Sequence, residues 1–511
     1  MSSIKELRLI LGDQLNEQHS WYRQNDDSVL YVLMEIKPES EYVTHHIQKI
    51  VGIFHAMRSF SDWLRSAGHQ VRYFSIGDSQ NQHSFSKNIS SLVEQHEVSK
   101  LSYQEPDEWR LERQFAIEFE ALGVEVEKVS SEHFYLERTE LSQFLSAKTY
   151  VMEPFYRKLR KQFGVLMEAD QPVTGQWNYD QSNRKKLPKD IQPPEPLEFA
   201  HDVQGIWEEI EAARIQSIGE LDATRFPWPK DRNESLEVLD YFINELLVRF
   251  GDYQDALTDR SWSLFHSRLS FALNVKMLSP REVVDAVEAH WRKSEESDIS
   301  QVEGFIRQIL GWREFMRAIY WLEMPRFKTL NFFESANALP EYFWTGKTKM
   351  KCVSHAINQS LEQAYAHHIQ RLMVTGNFAM LAGIHPDQVD RWYLGIYIDA
   401  FEWVELTNTR GMSQFADGGI VGTKPYAGSA SYVHKMSDYC KSCHYNHKIR
   451  HGESACPFNS LYWDFLERNR SKLQHNQRMS MMYRVLDKMM PKEKIRTFEQ
   501  ARFYLEKMEE L

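Results

Sequence analysis

Residues 29–35 read VLYVLME, a run of six apolar or aromatic residues followed by one carboxylate. A short continuous apolar run of this kind is typical of a strand that is buried on both faces of a sheet. Similar runs recur at residues 7–11, 71–76, 101–103 and 124–129, with helical patterns at residues 45–67, 86–96 and 108–122. Alternating strands and helices predict a parallel, doubly wound α/β domain over residues 1–136.

Ligands of a doubly wound sheet bind beyond the carboxyl ends of its strands. Asp13, Glu35 and Glu105 follow three of the predicted strands, and Tyr42 comes soon after the second. These residues are candidates for a ligand site, and ordinary turn or cap roles explain them equally well. Residues 1–136 contain neither G-x-G-x-x-G nor G-x-x-x-x-G-K-[ST], which disfavours a dinucleotide or triphosphate held in the usual way.

The pattern changes at about residue 137. Residues 137–229 are rich in proline and carry the basic stretch 184–186, which predicts a long interdomain connection with some helix in it. Helical periodicity then predicts an all-helical domain over residues 230–511. Its predicted helices include residues 234–250, 280–293, 302–320, 354–375 and 386–402.

The composition is that of a globular protein, with 42% hydrophobic and 26% charged residues. A net charge of −11 argues against nonspecific coating of nucleic acid but permits a local basic surface. No stretch has the pattern of a signal peptide or the length of a membrane span. We therefore expect a cytoplasmic monomer without membrane contact.

All four cysteines lie in the last third of the chain, and the last three read C-x2-C-x12-C with Pro457 directly after them. Four thiolates with no spare cysteine predict one shared centre, either a four-iron cluster or a structural zinc. Buried free thiols are the plainer alternative, and two disulfides are disfavoured in a reducing compartment. The predicted ligands are Cys352, Cys440, Cys443 and Cys456.

Three local motifs carry a resemblance to a known family. Residues 305–321 read FIRQILGWREFMRAIYW and contain W-R-E-F, residues 266–270 read HSRLS, and residues 367–371 read HHIQR. Together with the domain order they resemble the photolyase/cryptochrome flavoproteins, and the four cysteines narrow the resemblance to the prokaryotic (6-4) photolyases. The sequence departs from the wider family at His266, where threonine is usual, at FAL (residues 271–273), where P-Y-L is common, and at Glu405, where most members have asparagine near flavin N5.

The resemblance implies FAD in the helical domain and a light-driven reaction on (6-4) pyrimidine photoproducts in DNA. Imidazole suits the accompanying proton transfer because its reference pKa is about 6.5. His368 is the expected catalytic acid, with Tyr426 and Tyr432 at the lesion or on a route between the cofactors. The expected FAD-binding residues are His266, Ser267, Arg268 and Leu269 at the phosphates, and Gln308, Arg313, Asp399 and Glu405 near the ring.

The same resemblance implies electron transfer through Trp392, Tyr393 and Trp344, in that order from the flavin, although core packing also explains buried aromatic residues. It implies a [4Fe-4S] cluster on the cysteines and a 6,7-dimethyl-8-ribityllumazine antenna beside Asp13, Glu35, Tyr42 and Glu105. The expected DNA contacts are Asn178, Arg184, Lys186, His367 and Lys424, with Asp180 and Asp255 as candidates for Mg²⁺. A photoreceptor without repair activity, and a metal-bearing nucleic-acid-binding module without flavin, are the rival functions.

Overall fold

The computed structural model describes residues 3–145, 150–294 and 298–511 of the 511-residue chain. The N-terminal part contains five parallel strands that pair in the order β3-β2-β1-β4-β5. These are β1 Glu6–Leu9, β2 Val29–Met34, β3 Gln70–Phe74, β4 Lys100–Gln104 and β5 Glu125–Val129. Leu7 of the central strand lies opposite both Leu30 and Leu101. This order confirms the predicted doubly wound sheet.

Burial along the strands follows their positions in the sheet. All six residues of β2 are buried, as its continuous apolar sequence predicts. The edge strand β5 alternates charged residues with valine and is largely exposed. Helices Lys37–Glu41, Ile47–Ser66, Phe85–His96 and Trp109–Glu118 connect the strands.

The region predicted as an interdomain connection holds short elements. They are helices Leu141–Phe144, Met152–Phe163 and Gln204–Ala212, and the antiparallel strands β6 Met167–Glu168 and β7 Gln171–Pro172. Residues 191–200 have no regular structure. Residues 146–149 of the predicted connection lie outside the described residues.

The remainder is helical, as predicted. Its helices are Arg232–Tyr241, Leu247–Tyr253, Ser270–Asn274, Pro280–Lys293, Ile299–Ile306, Glu314–Glu323, Tyr342–Thr345, Lys351–Gln363, Asn377–Ala382, Pro386–Ile396, Glu402–Leu406, Ala430–Met436, Pro457–Arg468, Arg470–Leu473, Ser480–Asp487 and Pro491–Glu506. Wide-turn π-helices cover Phe242–Leu246, Arg307–Arg313, Gln370–Gly376 and Thr407–Ser413. Within the described ranges, no helix is both long and apolar enough to cross a membrane.

Two of the predicted helices are interrupted, which corrects their predicted extents. The predicted helix 354–375 ends at Gln363, because Ala364 adopts a left-handed conformation with φ of 51°. The predicted helix 386–402 ends at Ile396, and Tyr397 is extended. The amide of Ile398 donates to the Ala364 carbonyl over 2.9 Å, so the two interruptions lie side by side. Periodicity does not reveal such breaks, since apolar residues continue through both of them.

The sheet and the helical half pack together at the carboxyl ends of the strands. The buried ammonium of Lys276 lies 3.1 Å from the Asp13 carboxylate and 2.7 Å from that of Asp107. The Tyr320 hydroxyl accepts from the Trp109 amide over 2.8 Å. One face of the sheet has its own apolar core, whereas the other shares a continuous core with the helices. Ligand sites at this edge of the sheet are therefore bounded by both halves.

Candidate active site

The two helix interruptions bring together an arginine and two carboxylates. Arg371 donates to both oxygens of Asp399 over 2.9 and 3.0 Å, and its guanidinium lies 3.8 Å from Glu405. Ser270 donates to Asp399 over 2.6 Å, and Thr409 donates to Glu405 over 2.6 Å. Burial raises the pKa of Glu405, while Arg371 opposes this shift. The predicted ring-side residues Asp399 and Glu405 thus lie in one network.

Both wide-turn helices that flank this network contribute to it. Arg371 belongs to Gln370–Gly376, and Thr409 belongs to Thr407–Ser413. The two helices approach closely at Gly376, where a Cβ atom would lie 2.0 Å from the Ser413 hydroxyl. Single π-helical turns occur frequently at functional sites, because they shift side chains out of the ordinary helical register.

Arg268 is a buried cation, and the charge of Glu198 acts on it from beyond ion-pair distance. Its guanidinium lies between the Trp228 and Trp262 rings, 4.8 and 4.7 Å from their centroids, and donates to the Leu197 carbonyl over 2.8 Å. Among the described residues no carboxylate forms an ion pair with it, and its Nε atom has no partner. Burial lowers its pKa to about 10. A buried, unpaired guanidinium suits an anion such as phosphate.

The residues on either side of Arg268 complete this part of the predicted phosphate site. His266 and Ser267 are half-buried, whereas Leu269 is buried in the apolar core. The His266 ring stacks on His367 with centroids 4.7 Å apart, and His266 Nε2 and His367 Nδ1 have no hydrogen-bond partner. The two rings lie within the influence of the Arg371 charge, and their unpaired nitrogens are suited to a polar ligand on that side of the site.

His367 and His368 do not share a helix, which corrects the prediction from the sequence. His367 lies in the turn after Ala364, and its amide donates to the Gln370 side chain over 3.1 Å. His368 begins the next helical segment, and its side chain keeps a solvent-exposed surface although protein atoms surround the ring. Burial by the surrounding protein lowers the pKa of His368 to about 4, and the positive charge of Arg371 adds to this effect. His368 is therefore neutral at pH 7 in the ligand-free protein.

Two of the predicted electron-transfer residues, Trp392 and Tyr393, lie in one buried aromatic cluster. Trp392 and Tyr393 are buried with ring centroids 5.2 Å apart, and both contact Tyr397. Tyr397 packs under Arg371, 3.8 Å from its guanidinium. Trp392 also contacts Phe343, the neighbour of Trp344, which is 39% exposed. The exposed position of Trp344 agrees with an outermost place in such a chain.

Gln308 and Arg313 differ in their contacts. Gln308 is half-buried and donates to the Gly304 carbonyl one helical turn away. Arg313 is buried between the Phe134 and Trp403 rings and donates to His133, Leu273 and Asn274. Asn274 in turn donates to the Asp399 carbonyl over 2.7 Å. Arg313 thus supports the Asp399 loop from behind, through Asn274.

Of the predicted nucleic-acid contacts, Arg184 lies close enough for its charge to act on both Tyr426 and Lys424. Burial raises the pKa values of Tyr426 and Tyr432, and burial with the charges of Arg478 and Arg184 lowers the pKa of Lys424. Lys186 donates to the Ser437 carbonyl at the end of helix Ala430–Met436, over 2.7 Å. Asn178 lies earlier in the connecting segment and donates to Glu153 over 2.9 Å.

The candidate cation ligands lie in the same region. Asp180 pairs with Arg184 and, over 3.0 Å, with Arg307. Burial raises the pKa of Asp255 to about 6, with Arg184 opposing and Asp180 adding to the shift. Two guanidinium groups already neutralise Asp180, which weakens it as a ligand for a divalent cation.

The four cysteines line one cavity, together with Tyr439, Tyr445 and Phe458. Burial and the neighbouring thiols raise the pKa of Cys352 above its usual range. Tetrahedral zinc, with Zn–S bonds of about 2.3 Å, holds its sulfurs about 3.8 Å apart. No three of these four described sulfurs lie within 4.8 Å of one another. The arrangement is therefore wider than a zinc ion requires.

A second group of ligand atoms lies beside the cysteines. One ligand atom each of His434, Cys440 and His447 lies within 4.8 Å of the other two. The two imidazole rings are nearly parallel, at 11°, with centroids 3.7 Å apart. Nitrogen lone pairs lie in the ring planes, so those of stacked rings run side by side and do not meet at one ion. This geometry disfavours a mononuclear metal site.

A separate cavity lies where the strand ends meet the helical half. It is lined by Asp13, Glu35 and Tyr42 but not by the fourth predicted antenna residue, Glu105, which lies 3.4 Å from Arg138. The Glu35 carboxylate accepts hydrogen bonds from Arg58, the Tyr73 hydroxyl and the Ile76 amide. Glu35 therefore supports the cavity wall. The polar residues of this lining that were not among the predicted antenna residues include His45, Lys49 and Asp107.

Comparisons with known proteins agree with the fold and with the sequence motifs. Residues 8–226 match a family described as deoxyribodipyrimidine photo-lyase-related protein. The chain is 43% identical over 486 residues to a (6-4) photolyase of Agrobacterium fabrum (strain C58 / ATCC 33970), covering 94% of this chain and 95% of the relative. The chain belongs to the (6-4) photolyase family. The resemblance drawn from the sequence motifs is therefore confirmed.

Solved structures show the fold of this family. A bacterial class III photolyase from Agrobacterium tumefaciens superposes with a TM-score of 0.55 at 16% identity, over 96% of this chain and 99% of that structure. A cryptochrome from Synechocystis sp. PCC6803 gives 0.60 at 14% identity, over 99% and 100%. At this level of identity the superpositions establish the shared architecture.

The residues that sequence reasoning missed in the (6-4) photolyase site are mostly partners of the predicted ones. Arg371 is the last residue of the HHIQR stretch, but its pairing with Asp399 is not visible in that motif. Tyr397, Thr409, Trp228 and Trp262 have no motif of their own. Their signal is indirect, since each packs on or hydrogen-bonds to a residue that a motif identified.

Proposed function

We propose that this protein repairs (6-4) pyrimidine photoproducts in DNA in a light-dependent reaction. The observation that carries the proposal is the exposed position of His368 near Arg371, which pairs with Asp399 and lies 3.8 Å from Glu405. The relation to the Agrobacterium (6-4) photolyase supplies the reaction class. We further propose residues 1–136, 137–229 and 230–511 as the antenna domain, the connection and the catalytic domain.

Membership of the family implies FAD as the cofactor, and the residues present fit it. Arg268 offers an unpaired buried cation to the pyrophosphate, with His266 and Ser267 beside it. Arg371, Asp399 and Glu405 offer one cation and two carboxylates to the polar edge of a flavin ring. When bound in its reduced form, FAD supplies the photoexcited electron that the reaction needs.

His368 is proposed to move the proton that accompanies the transfer of the lesion hydroxyl. Its pKa of about 4 makes the ligand-free imidazole a base at neutral pH. An anion bound near His368 stabilises the imidazolium and raises this pKa toward neutrality. His368 therefore becomes protonated when an anion binds near it, and its imidazole is neutral when no anion is bound.

The cysteine cavity is proposed to hold a [4Fe-4S] cluster. A cubane binds each cysteine sulfur to a different iron, so the sulfurs are spread more widely than around one zinc ion, which agrees with the observed spacing. Purified protein is expected to contain about four irons and four acid-labile sulfides per chain. A stoichiometric zinc content without iron contradicts this assignment.

The cavity at the strand ends is proposed to hold the antenna, 6,7-dimethyl-8-ribityllumazine. Its lining combines apolar residues with Asp13, Tyr42 and the unpaired imidazole of His45. Denatured protein is expected to release a chromophore with the mass of this lumazine. Asp180 and Asp255 remain the proposed Mg²⁺ ligands, to be tested by the effect of Mg²⁺ on DNA affinity in an Asp255→Asn variant.

Damaged DNA is the proposed substrate, with Tyr426 and Tyr432 beside the opened lesion and Lys424 and Arg184 on its phosphates. Stacking of a base on tyrosine contributes about 1–3 kcal/mol, and extrusion of a damaged base costs only a few. The decisive experiment illuminates reduced protein with an oligonucleotide that contains one (6-4) photoproduct and measures restored thymines by chromatography. A dark reaction is the control. Restoration in neither reaction refutes the proposed function and favours a photoreceptor.

A further inference from the structure

Helix Met152–Phe163 carries a concentration of positive charge that the proposed active site does not use. Its sequence, MEPFYRKLRKQF, contains four cations and one carboxylate. Glu153 pairs with Arg157 over 2.8 Å, but Lys158, Arg160 and Lys161 form no ion pair with any described residue. The whole chain has a net charge of −11, so this excess is local.

Three of the four cations are arranged around one tryptophan, whereas Lys158 lies 3.9 Å from the Phe144 ring centroid and donates to the Gln143 carbonyl over 2.9 Å. Arg157, Arg160 and Lys161 lie 5.3, 5.3 and 5.5 Å from the Trp177 ring centroid. Arg160 is buried and donates to the carbonyls of Val165, Leu166 and Trp177, so its charge is fixed in place by three carbonyl oxygens. Lys158 and Lys161 are exposed. The result is a rigid positive face with an aromatic surface at its edge.

This face continues into the proposed lesion site. Asn178, the residue after Trp177, donates to Glu153 of the helix over 2.9 Å. Two residues further on, Asp180 pairs with Arg184. The positive charge of Arg184 acts to lower the pKa values of Lys424 and Tyr426, so it lies close to both. The helix is about 18 Å long, a span of about five base-pair steps. A duplex bound at the lesion site therefore meets more positive charge along one flank.

We propose that Lys158 and Lys161, on the helix organised by Arg160 and Trp177, bind backbone phosphates of the duplex that flanks the lesion. This inference rests on the proposed function, because the lesion site fixes where the duplex lies. Each phosphate contact releases condensed counterions, so it contributes to both affinity and salt dependence. Contacts with the flank carry no sequence or damage preference of their own.

The test compares wild-type protein with a Lys158→Gln/Lys161→Gln variant. Dissociation constants are measured over a series of salt concentrations for lesion duplexes of about 12 and about 30 base pairs, lengths chosen so that only the longer covers the helix. We expect the variant to bind the longer duplex about tenfold more weakly, with a salt slope smaller by about 2. A Lys5→Gln/Lys87→Gln variant removes the same charge from the N-terminal domain and is expected to match wild type.

The outcomes distinguish a failure of the proposed phosphate contacts from a failure of the proposed repair function. Suppose that wild-type protein binds and repairs the lesion, and that the Lys158/Lys161 variant has the same affinity and salt slope. This result overturns the proposed phosphate contacts and leaves the proposed function standing. Equal losses in the Lys5/Lys87 control overturn these contacts too, because such losses show an effect of net charge. Wild-type protein that neither binds nor repairs lesion DNA overturns the proposed function and the flank contact together. Unchanged thermal unfolding confirms that each variant is folded.

Discussion

Replacing Arg268 by methionine separates the stability of the protein from its affinity for FAD. Burial lowers the pKa of Arg268 from 12.5 to about 10, so keeping the buried guanidinium protonated costs about 3 kcal/mol of folding free energy. Methionine removes this cost. It also loses one hydrogen bond to Leu197, about 1 kcal/mol, and two cation–π contacts, about 1–2 kcal/mol together. The free energy of unfolding of the FAD-free protein is therefore expected to change by less than about 1 kcal/mol.

The affinity for FAD responds differently. Two charge-assisted hydrogen bonds to phosphate contribute about 3 kcal/mol or more, so we expect the dissociation constant of FAD to rise at least about 100-fold. The assay strips FAD from each protein, measures urea unfolding of the stripped form, and then follows the quenching of flavin fluorescence on rebinding. Both measurements use the same preparation, so a folding defect and a binding defect are distinguished.

Arg317→Met is the matched control. Arg317 is also buried, donates to one carbonyl over 2.7 Å, lies 3.7 Å from the Phe134 ring centroid and has an unpaired Nε atom. Burial lowers its pKa as well. Arg317 lies near Asp107 and Glu314, where the strand ends meet the helical half, and shares no contact with Arg268, which predicts unchanged FAD affinity. Equal FAD affinity in the Arg268→Met and wild-type proteins refutes the assignment of Arg268 to the pyrophosphate.

Three further predictions follow from the other parts of the site. The pKa values of His266 (about 3) and His368 (about 4) are lower than in the unfolded chain. The unfolded chain therefore binds more protons than the folded protein between pH 6.5 and 4. Stability is therefore lost as the pH falls through this range, and His266→Asn/His368→Asn is expected to show a smaller drop in urea midpoint between pH 7.5 and 5. Cys456→Ser is expected to lose iron and visible absorbance and to unfold at a lower temperature, measured by iron analysis and circular dichroism; full iron retention contradicts its role as a ligand. Trp392→Phe is expected to slow flavin photoreduction at least tenfold in transient absorption, whereas Trp463→Phe, a buried tryptophan of helix Pro457–Arg468, is expected to leave it unchanged.

Hydrophobic periodicity was sufficient to predict the sheet. A run such as VLYVLM is buried at every position because β2 is a central strand, so its pattern reports its surroundings directly. Strand β5 shows the limit of this reasoning. Its valines alternate with charged residues, and its place at the edge of the sheet is visible only in the pairing with β4.

The candidate site was predictable as a set of residues but not as an arrangement. Motifs identified Asp399, Glu405 and His368, yet the hydrogen bond that brings them together joins Ala364 to Ile398, two residues without any motif. Arg313 shows the converse. Its motif is strong, but its donors reach His133, Leu273 and Asn274, so its contribution is the support of a loop. A motif identifies a residue that matters without specifying the group that it touches.

Lys49 explains how the two proposed chromophore sites are held in one frame. It lines the cavity at the strand ends, and its ammonium donates to the carbonyls of Leu394 and Ala400 over 2.7 and 2.6 Å. Burial lowers its pKa to about 8, since no described carboxylate forms an ion pair with it. Ala400 follows Asp399, the partner of Arg371, so one helix of the sheet domain fixes the loop that builds the flavin side. Energy transfer depends steeply on the separation and orientation of donor and acceptor, and a buried ammonium bound to two carbonyls of the other domain restricts both.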